Sequence, residues 1–462
     1  MKTLKRTNCF SKPLRSVALI SRCCAIAWLG LLAPACGSDD DDAGSSTGLS
    51  ENLHIVPGTK EKQPDGSLEH PFATLTAAVD AIKATPAWDG TIVAHKGRYE
   101  LTAELALPKN ADLKVLAGAT FAFGPDVSLH AQRNLQVRGT EAEPVTFTWL
   151  QQGSHWGALT NFEKTSLDNV VEYAIFEHGG ESQFEGTGVR GALSFADAGG
   201  RISHCIFRNN EGDDGLNLKR SPTSVEFSRF ESNVGDALDS DGPAIAEIHD
   251  CVFINNGNDG VDLGEGSTEH VFNNIMINNG DKGVSVGDTS FPLVDHNLII
   301  GCHVGVGVKD SSDPEVRNNT LYGNGKGVSS YENTSGKGGG LGQFVNNIIW
   351  GSKELDIEII DGAPAFSYSC IQTGYEGAGN LSQENGCADP LFADVENGDF
   401  HLKSAGGRWD AATKAWVVDA ETSPCIDAGD PNVPVGTETT PNGARVELGA
   451  YGGTREASRT PQ

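Results

Sequence analysis

Between residues 200 and 330 the large apolar positions recur at a fixed step. Phe207, Phe230, Phe253, Met276, Ile299 and Leu321 stand 23, 23, 23, 23 and 22 residues apart. Three residues after each comes a second column: Asn210, Asn233, Asn256, Asn279, Cys302 and Asn324. Further along each repeat, Leu216-Asn217-Leu218, Leu238-Asp239-Ser240, Val261-Asp262-Leu263, Val284-Ser285-Val286 and Val306-Gly307-Val308 follow the period of a short strand. A unit this small cannot bury its own apolar face, whereas stacked copies can. The pattern predicts a parallel β-solenoid whose rungs lie about 4.8 Å apart, so that each column becomes a ladder of one residue type. The Asn column reads as structural, chaining side-chain amides at a bend where Asn tolerates left-handed backbone.

The flanks extend the solenoid. Pro71-Phe72-Ala73-Thr74-Leu75 precedes Thr76 to Ala84, whose apolar spacing is helical, and Thr91 to Ala94 reads as a strand. A short helix there can plug the first rung. Further rungs run through Leu113 to Phe176, and Phe344 to Ile349 adds another after the Gly-rich stretch 336–342. The insertion from Glu177 to Arg190, with His178, Glu181, Glu185 and Arg190, reads first as an ordinary loop and second as a wall of a substrate groove. The expected division is a β-helix with its N-terminal cap over residues 53–370 and an irregular C-terminal cap over 371–462.

The N-terminus has a different character. Lys2, Lys5, Arg6, Lys12 and Arg15 precede an apolar run from Cys23 to Leu32, so residues 1–35 read as a signal peptide. Leu32-Ala33-Pro34-Ala35-Cys36 resembles the lipobox of bacterial lipoproteins, with Leu32 four places before the cysteine instead of three. The resemblance implies a lipidated Cys36. Residues 36–52, with Asp39 to Asp42 among Gly, Ser and Thr, form an acidic flexible tether. No other apolar stretch approaches the roughly 20 residues of a membrane helix. The expectation is an exported lipoprotein of the outer membrane or cell surface, held to the membrane by its lipid alone.

Charge narrows the partners. Removing the six basic residues of the targeting segment leaves 28 Lys and Arg against 62 Asp and Glu, a mature net charge near -34. Such a surface repels nucleic acid, whose binding depends on cationic contacts to phosphate. Export permits disulfides. Cys370 and Cys387, in a Gly-rich irregular stretch, are the candidate pair, whereas Cys205 and Cys251 lie two repeats apart, about 10 Å and too far to bridge.

Asp65-Gly66-Ser67 with His70 to Thr74, the repeated Asn-Asn and Asp-Gly elements, and the tail Ser423 to Asp430 and Glu447 to Gly453 resemble the pectate-lyase-like superfamily of bacterial right-handed β-helix proteins. The resemblance spans roughly residues 53–453 and is specific for fold. The expected fold class is therefore all-β, a single-stranded right-handed parallel β-helix with a short helical cap at its N-terminus and an irregular one at its C-terminus.

One patch breaks the repetition. The position before each turn runs Asp214, Asp236, Asp259, Lys282, Val304, Lys326, and the outward position of the next strand runs Asn217, Asp239, Asp262, Ser285, Gly307, Ser329. Carboxylates stacked about 5 Å apart repel, which a shared proton or a hard cation offsets. Asp214, Asp236, Asp239, Asp259 and Asp262 are thus candidate Ca²⁺ ligands. The arrangement is similar to calcium-dependent polysaccharide lyases on this fold, which implies β-elimination on an acidic polysaccharide with a lysine base. Lys282 is the first candidate for that base and Lys219 the second. The competing reading is a non-catalytic adhesin or surface scaffold that uses the solenoid only as an extended face.

Overall fold

In the computed structural model of the chain, which describes residues 48–162, 168–244 and 246–462, each repeat forms one turn of three short strands. The signal segment, Cys36 and most of the tether lie outside the described residues. Stacked turns build three parallel sheets of 13, 12 and 11 strands. The first face begins with Asn52–Ile55, the second with Gly97–Leu101 and the third with Leu105–Ala106. Each strand pairs with its counterpart one turn away, as Phe207 does with Phe230 and Phe230 with Phe253. Sequence columns are therefore physical ladders.

The inward ladder of the second face is a stack of rings. Tyr99, Phe121, Phe147, Phe176, Phe207, Phe230 and Phe253 follow one another with centroids 4.7 to 5.4 Å apart. Met276, Ile299 and Leu321 continue it, buried. Each fully buried Phe contributes about 1.5–3 kcal/mol by leaving water. At the next bend Asn210 Nδ2 donates to Asn233 Oδ1, Asn233 to Asn256 and Asn256 to Asn279, at 2.8 to 2.9 Å. A second amide ladder, Asn274, Asn297, Asn319 and Asn347, runs along the bend between the first and second faces. Cys205 and Cys251 occupy positions in that second column and are buried free thiols.

The N-terminal plug is the helix Leu75–Ala84. Thr74 caps it by accepting the Ala77 amide, and Leu75, Ala78, Val79 and Ile82 close the core. The C-terminal region does not continue the solenoid axis. It folds back onto the outer side of the second face, where Phe392, Phe400, Leu402, Cys425 and Leu448 pack with Leu298, Ile300, Tyr322, Ile348 and Trp350. Asn318 Nδ2 donates to Glu447 O at 3.1 Å and the Asp430 amide to Asn346 Oδ1 at 2.7 Å. Cys370 of the last turn and Cys387 form a disulfide. Among the described residues, no helix is long and apolar enough to cross a membrane.

Candidate functional site

The third face has the longest strands, and its outward side carries the departures from repetition. Asn217, Asp239, Asp262, Ser285, Gly307, Ser329 and Glu358 stack in register along it. Asp214 pairs with Asp236 at the strand entrance, and Lys282 with Val304 two turns further.

The entrance aspartates have a structural duty that explains why Asp precedes each turn. Asp236 Oδ1 accepts the Asp259 amide and Asp259 Oδ1 accepts the Lys282 amide, both at 2.7 Å. One oxygen of each carboxylate thus fastens the next turn. Carboxylate oxygens of Asp236, Asp259 and Asp262 converge within 4.8 Å of one another. On the same strand as Asp236, Asp239 accepts from Asn217 Nδ2 at 2.9 Å, while on the preceding turn the buried Asp214 Oδ2 has no hydrogen-bond partner.

Burial, reinforced by neighbouring carboxylates, pushes Asp214 and Asp239 well above the usual carboxylate range. The same causes raise Asp236 to about 8 and Asp259 to about 6, the latter relieved in part by Lys282. The packed hard oxygens of Asp236, Asp259 and Asp262 are the kind of donor a Ca²⁺ ion takes, and the orphaned Asp214 Oδ2 lies one turn before Asp236. Asp236, Asp259 and Asp262 are the residues that would hold the ion, with Asp239 on the same strand as Asp236 and Asp214 on the preceding turn.

Two lysines close the cluster on its C-terminal side. Lys282 Nζ donates to Asp281 Oδ2 at 2.5 Å and to Asp259 Oδ1 at 3.4 Å. Lys309 Nζ stands 3.8 Å from Asp262 Oδ1. Glycines make room for both. A Cβ on Gly307 would meet Lys282 Cδ at 2.5 Å, and one on Gly287 would meet Lys309 Cε at 2.5 Å. The side chains therefore run along the sheet, each over the neighbouring turn.

This geometry corrects the simplest form of the lysine-base expectation. Burial of Lys282 favours the neutral amine, but Asp259 and Asp281 outweigh it and hold the ammonium charged, the opposite of what a base requires. Lys219 does not join the cluster; it stands in register with Asp241 at the far end of its strand. Lys309 escaped the sequence reading, as did Tyr331, its register partner on the next turn. Their signal was the outward column two residues beyond the one examined: Lys219, Asp241, Gly264, Gly287, Lys309, Tyr331.

The insertion expected as a plain loop is an antiparallel hairpin, Ser182–Phe184 with Thr187–Val189. Phe184 stacks on His130 of the third face at 4.2 Å and packs by Phe162 at 5.3 Å. That apolar contact orders the segment. Arg190, at its root, pairs with Asp213 at 2.8 Å.

Residues 152–299 and 190–349 match a family model described as right handed beta helix region, and residues 316–429 match one described as disaggregatase related. With the three-sheet topology, this makes the chain a right-handed parallel β-helix. No curated protein matches it. Among solved structures, pectate lyase Pel9A is 15% identical with a TM-score of 0.40, covering 87% of this chain and 97% of its own. The PL6 family alginate lyase AlyGC is 13% identical with a TM-score of 0.44, over 81% of this chain and 57% of its own. The A-module of Azotobacter vinelandii mannuronan C-5 epimerase AlgE4 is 16% identical with a TM-score of 0.38, over 66% of this chain and 94% of its own.

Proposed function

We propose that the third face binds an acidic, uronate-containing polysaccharide through Ca²⁺ at Asp236, Asp259 and Asp262, and cleaves it by β-elimination. The observation that carries the reading is the apposition of those three carboxylates, within 4.8 Å of one another, to the ammonium groups of Lys282 and Lys309 on the following turns. A cation held by these carboxylates would neutralise the uronate carboxylate and so acidify the adjacent C–H. Lys309, whose nearest carboxylate is the 3.8 Å contact to Asp262, is placed to pair with a second substrate carboxylate. Lys282 serves as the proton acceptor only once the charges of both Asp259 and Asp281 are offset, because burial then favours its neutral amine. Export and lipidation at Cys36 belong to the same proposal, presenting this face to extracellular polymer on the acidic tether.

Ultraviolet absorbance of unsaturated uronate products on pectate, alginate and glycosaminoglycans, with and without EDTA, tests it. Calcium-dependent product formation on one of them is the expected result. No product on any polymer, together with no calcium-dependent shift in melting temperature, returns the chain to the reading of a non-catalytic surface scaffold.

A further inference from the structure

The strip that carries the carboxylates is built differently at its two ends. Its outward column starts with His130, Thr160 and Ser194 before reaching Asn217, Asp239 and Asp262. His130, Thr160 and Ser194 are all 0% exposed, Asn217 is 3% and Asp239 9% exposed, and the Asp262 side chain reaches 27%. The hairpin roofs the closed end. Phe184 lies flat on His130, with ring planes 18° apart, and beside Phe162, which directly follows the strand Leu159–Asn161. Val189 is buried, and Glu185 reaches Lys109 at 3.8 Å beyond the strand Leu105–Ala106. The hairpin thus crosses the first turns of the face from one side to the other before the chain re-enters it at Gly191.

The other end carries no hairpin, although Ser285 and Ser329 there are also buried, at 0% and 3% exposed. Past Asp262 the strip runs over Ser285, Gly307 and Ser329 to Glu358, flanked by Lys282, Lys309 and Lys326, which pair with Asp281, Asp262 and Glu358 respectively. A polymer chain laid along this half can exchange its carboxylates for those already paired with the lysines, and meets the roof on the other half. The stretch from Asn217 to Asp262, where exposure rises beyond the hairpin, spans two turn-to-turn steps of about 4.8 Å each, which is length for about two sugar rings.

We propose that the hairpin closes the strip against through-running chains, so that the protein engages an acidic polysaccharide at a chain end, with about two sugar rings held between the Phe184 roof and Asp262. This rests on the polysaccharide reading above and deepens it: the hairpin sets a chain-end specificity that the carboxylate cluster alone does not define. Phe184 is a specificity-determining residue in this scheme, remote from the reacting atoms.

Binding stoichiometry separates this inference from the reading beneath it without relying on turnover. Oligogalacturonates and oligoguluronates of short and long defined length are mixed with the full protein in calcium chloride, and the mass of the complex is read by light scattering. The expected result is one protein per chain at every length, with loading that rises with length in F184A. Wild-type loading that rises with chain length overturns the chain-end inference while leaving the polysaccharide reading intact. No complex with either oligouronate in calcium overturns that reading itself. Should F184A fold poorly, the wild-type length series still decides between the first two outcomes.

Discussion

Lys309 lies across Gly287 of the preceding turn, so closely that a single methyl at that glycine would sit 2.5 Å from its Cε. The absence of a side chain at 287 is what lets the ammonium reach toward Asp262. Gly287→Ala meets only the flexible Lys309 side chain, at Cε, Cγ and Cδ, so the fold should lose less than about 1 kcal/mol. Uronate affinity should nevertheless fall about as far as in Lys309→Ala. Calorimetric titration with oligogalacturonate beside thermal melts checks both halves, and an unchanged affinity in Gly287→Ala would remove Lys309 from the binding strip.

Ca²⁺ should raise the melting temperature, because an ion that binds only the folded chain stabilises it by about 2.7 kcal/mol at a hundredfold excess over Kd. Asp262→Asn should abolish that rise, since Asp262 is one of the three converging carboxylates. Melting curves with calcium and with EDTA decide the matter; a full calcium response in the variant would place the ion elsewhere.

Glu269 provides a pH dependence away from the cation site. It is fully buried, Ser240 Oγ donates to its Oε1 at 2.8 Å, and burial raises its pKa to about 7. The unfolded chain releases this proton near 4.5 and the folded chain near 7, so between those values the unfolded state binds fewer protons. Stability contributed by this group therefore falls as pH rises through that window and is level above it, a change of about 3 kcal/mol. Glu269→Gln keeps the acceptor for Ser240 and should lessen the slope in denaturant titrations between pH 5 and 7, leaving the part due to the raised aspartates of the third face.

Asn256 serves the solenoid alone. Its Nδ2 donates to Phe230 O and Asn279 Oδ1, and its Oδ1 accepts from the Asn233 amide and side chain. Asn256→Ala leaves several of these buried groups without partners and should cost about 2–4 kcal/mol, read as a lower denaturation midpoint. Calcium affinity should stay as it was.

Membrane attachment is expected to depend on Cys36. Cys36→Ser should move the protein from the membrane fraction to the soluble fraction and remove incorporation of labelled palmitate. Unaltered fractionation would count against the lipid anchor.

The sequence by itself determined the solenoid, because in a stacked repeat each residue's principal neighbour is its own counterpart one turn away. The step from Phe207 to Phe230 to Phe253 is at once a spacing and a contact, and the Asn210 to Asn279 column is already a hydrogen-bonded ladder when written out. The same rule exposed the carboxylate column. What the spacing could not supply was direction and reach. Only the folded chain shows that one oxygen of Asp236 and one of Asp259 are committed to backbone amides. Only there do Gly307 and Gly287 let Lys282 and Lys309 run along the sheet, and does Phe184 find His130 far back in the chain. The C-terminal region likewise chose the flank of the second face, where Tyr322 and Trp350 offered apolar surface, over the end of the axis. Repeats encode nearest-neighbour contacts locally; long side chains and non-repeating segments settle against surfaces that exist only after the turns have stacked.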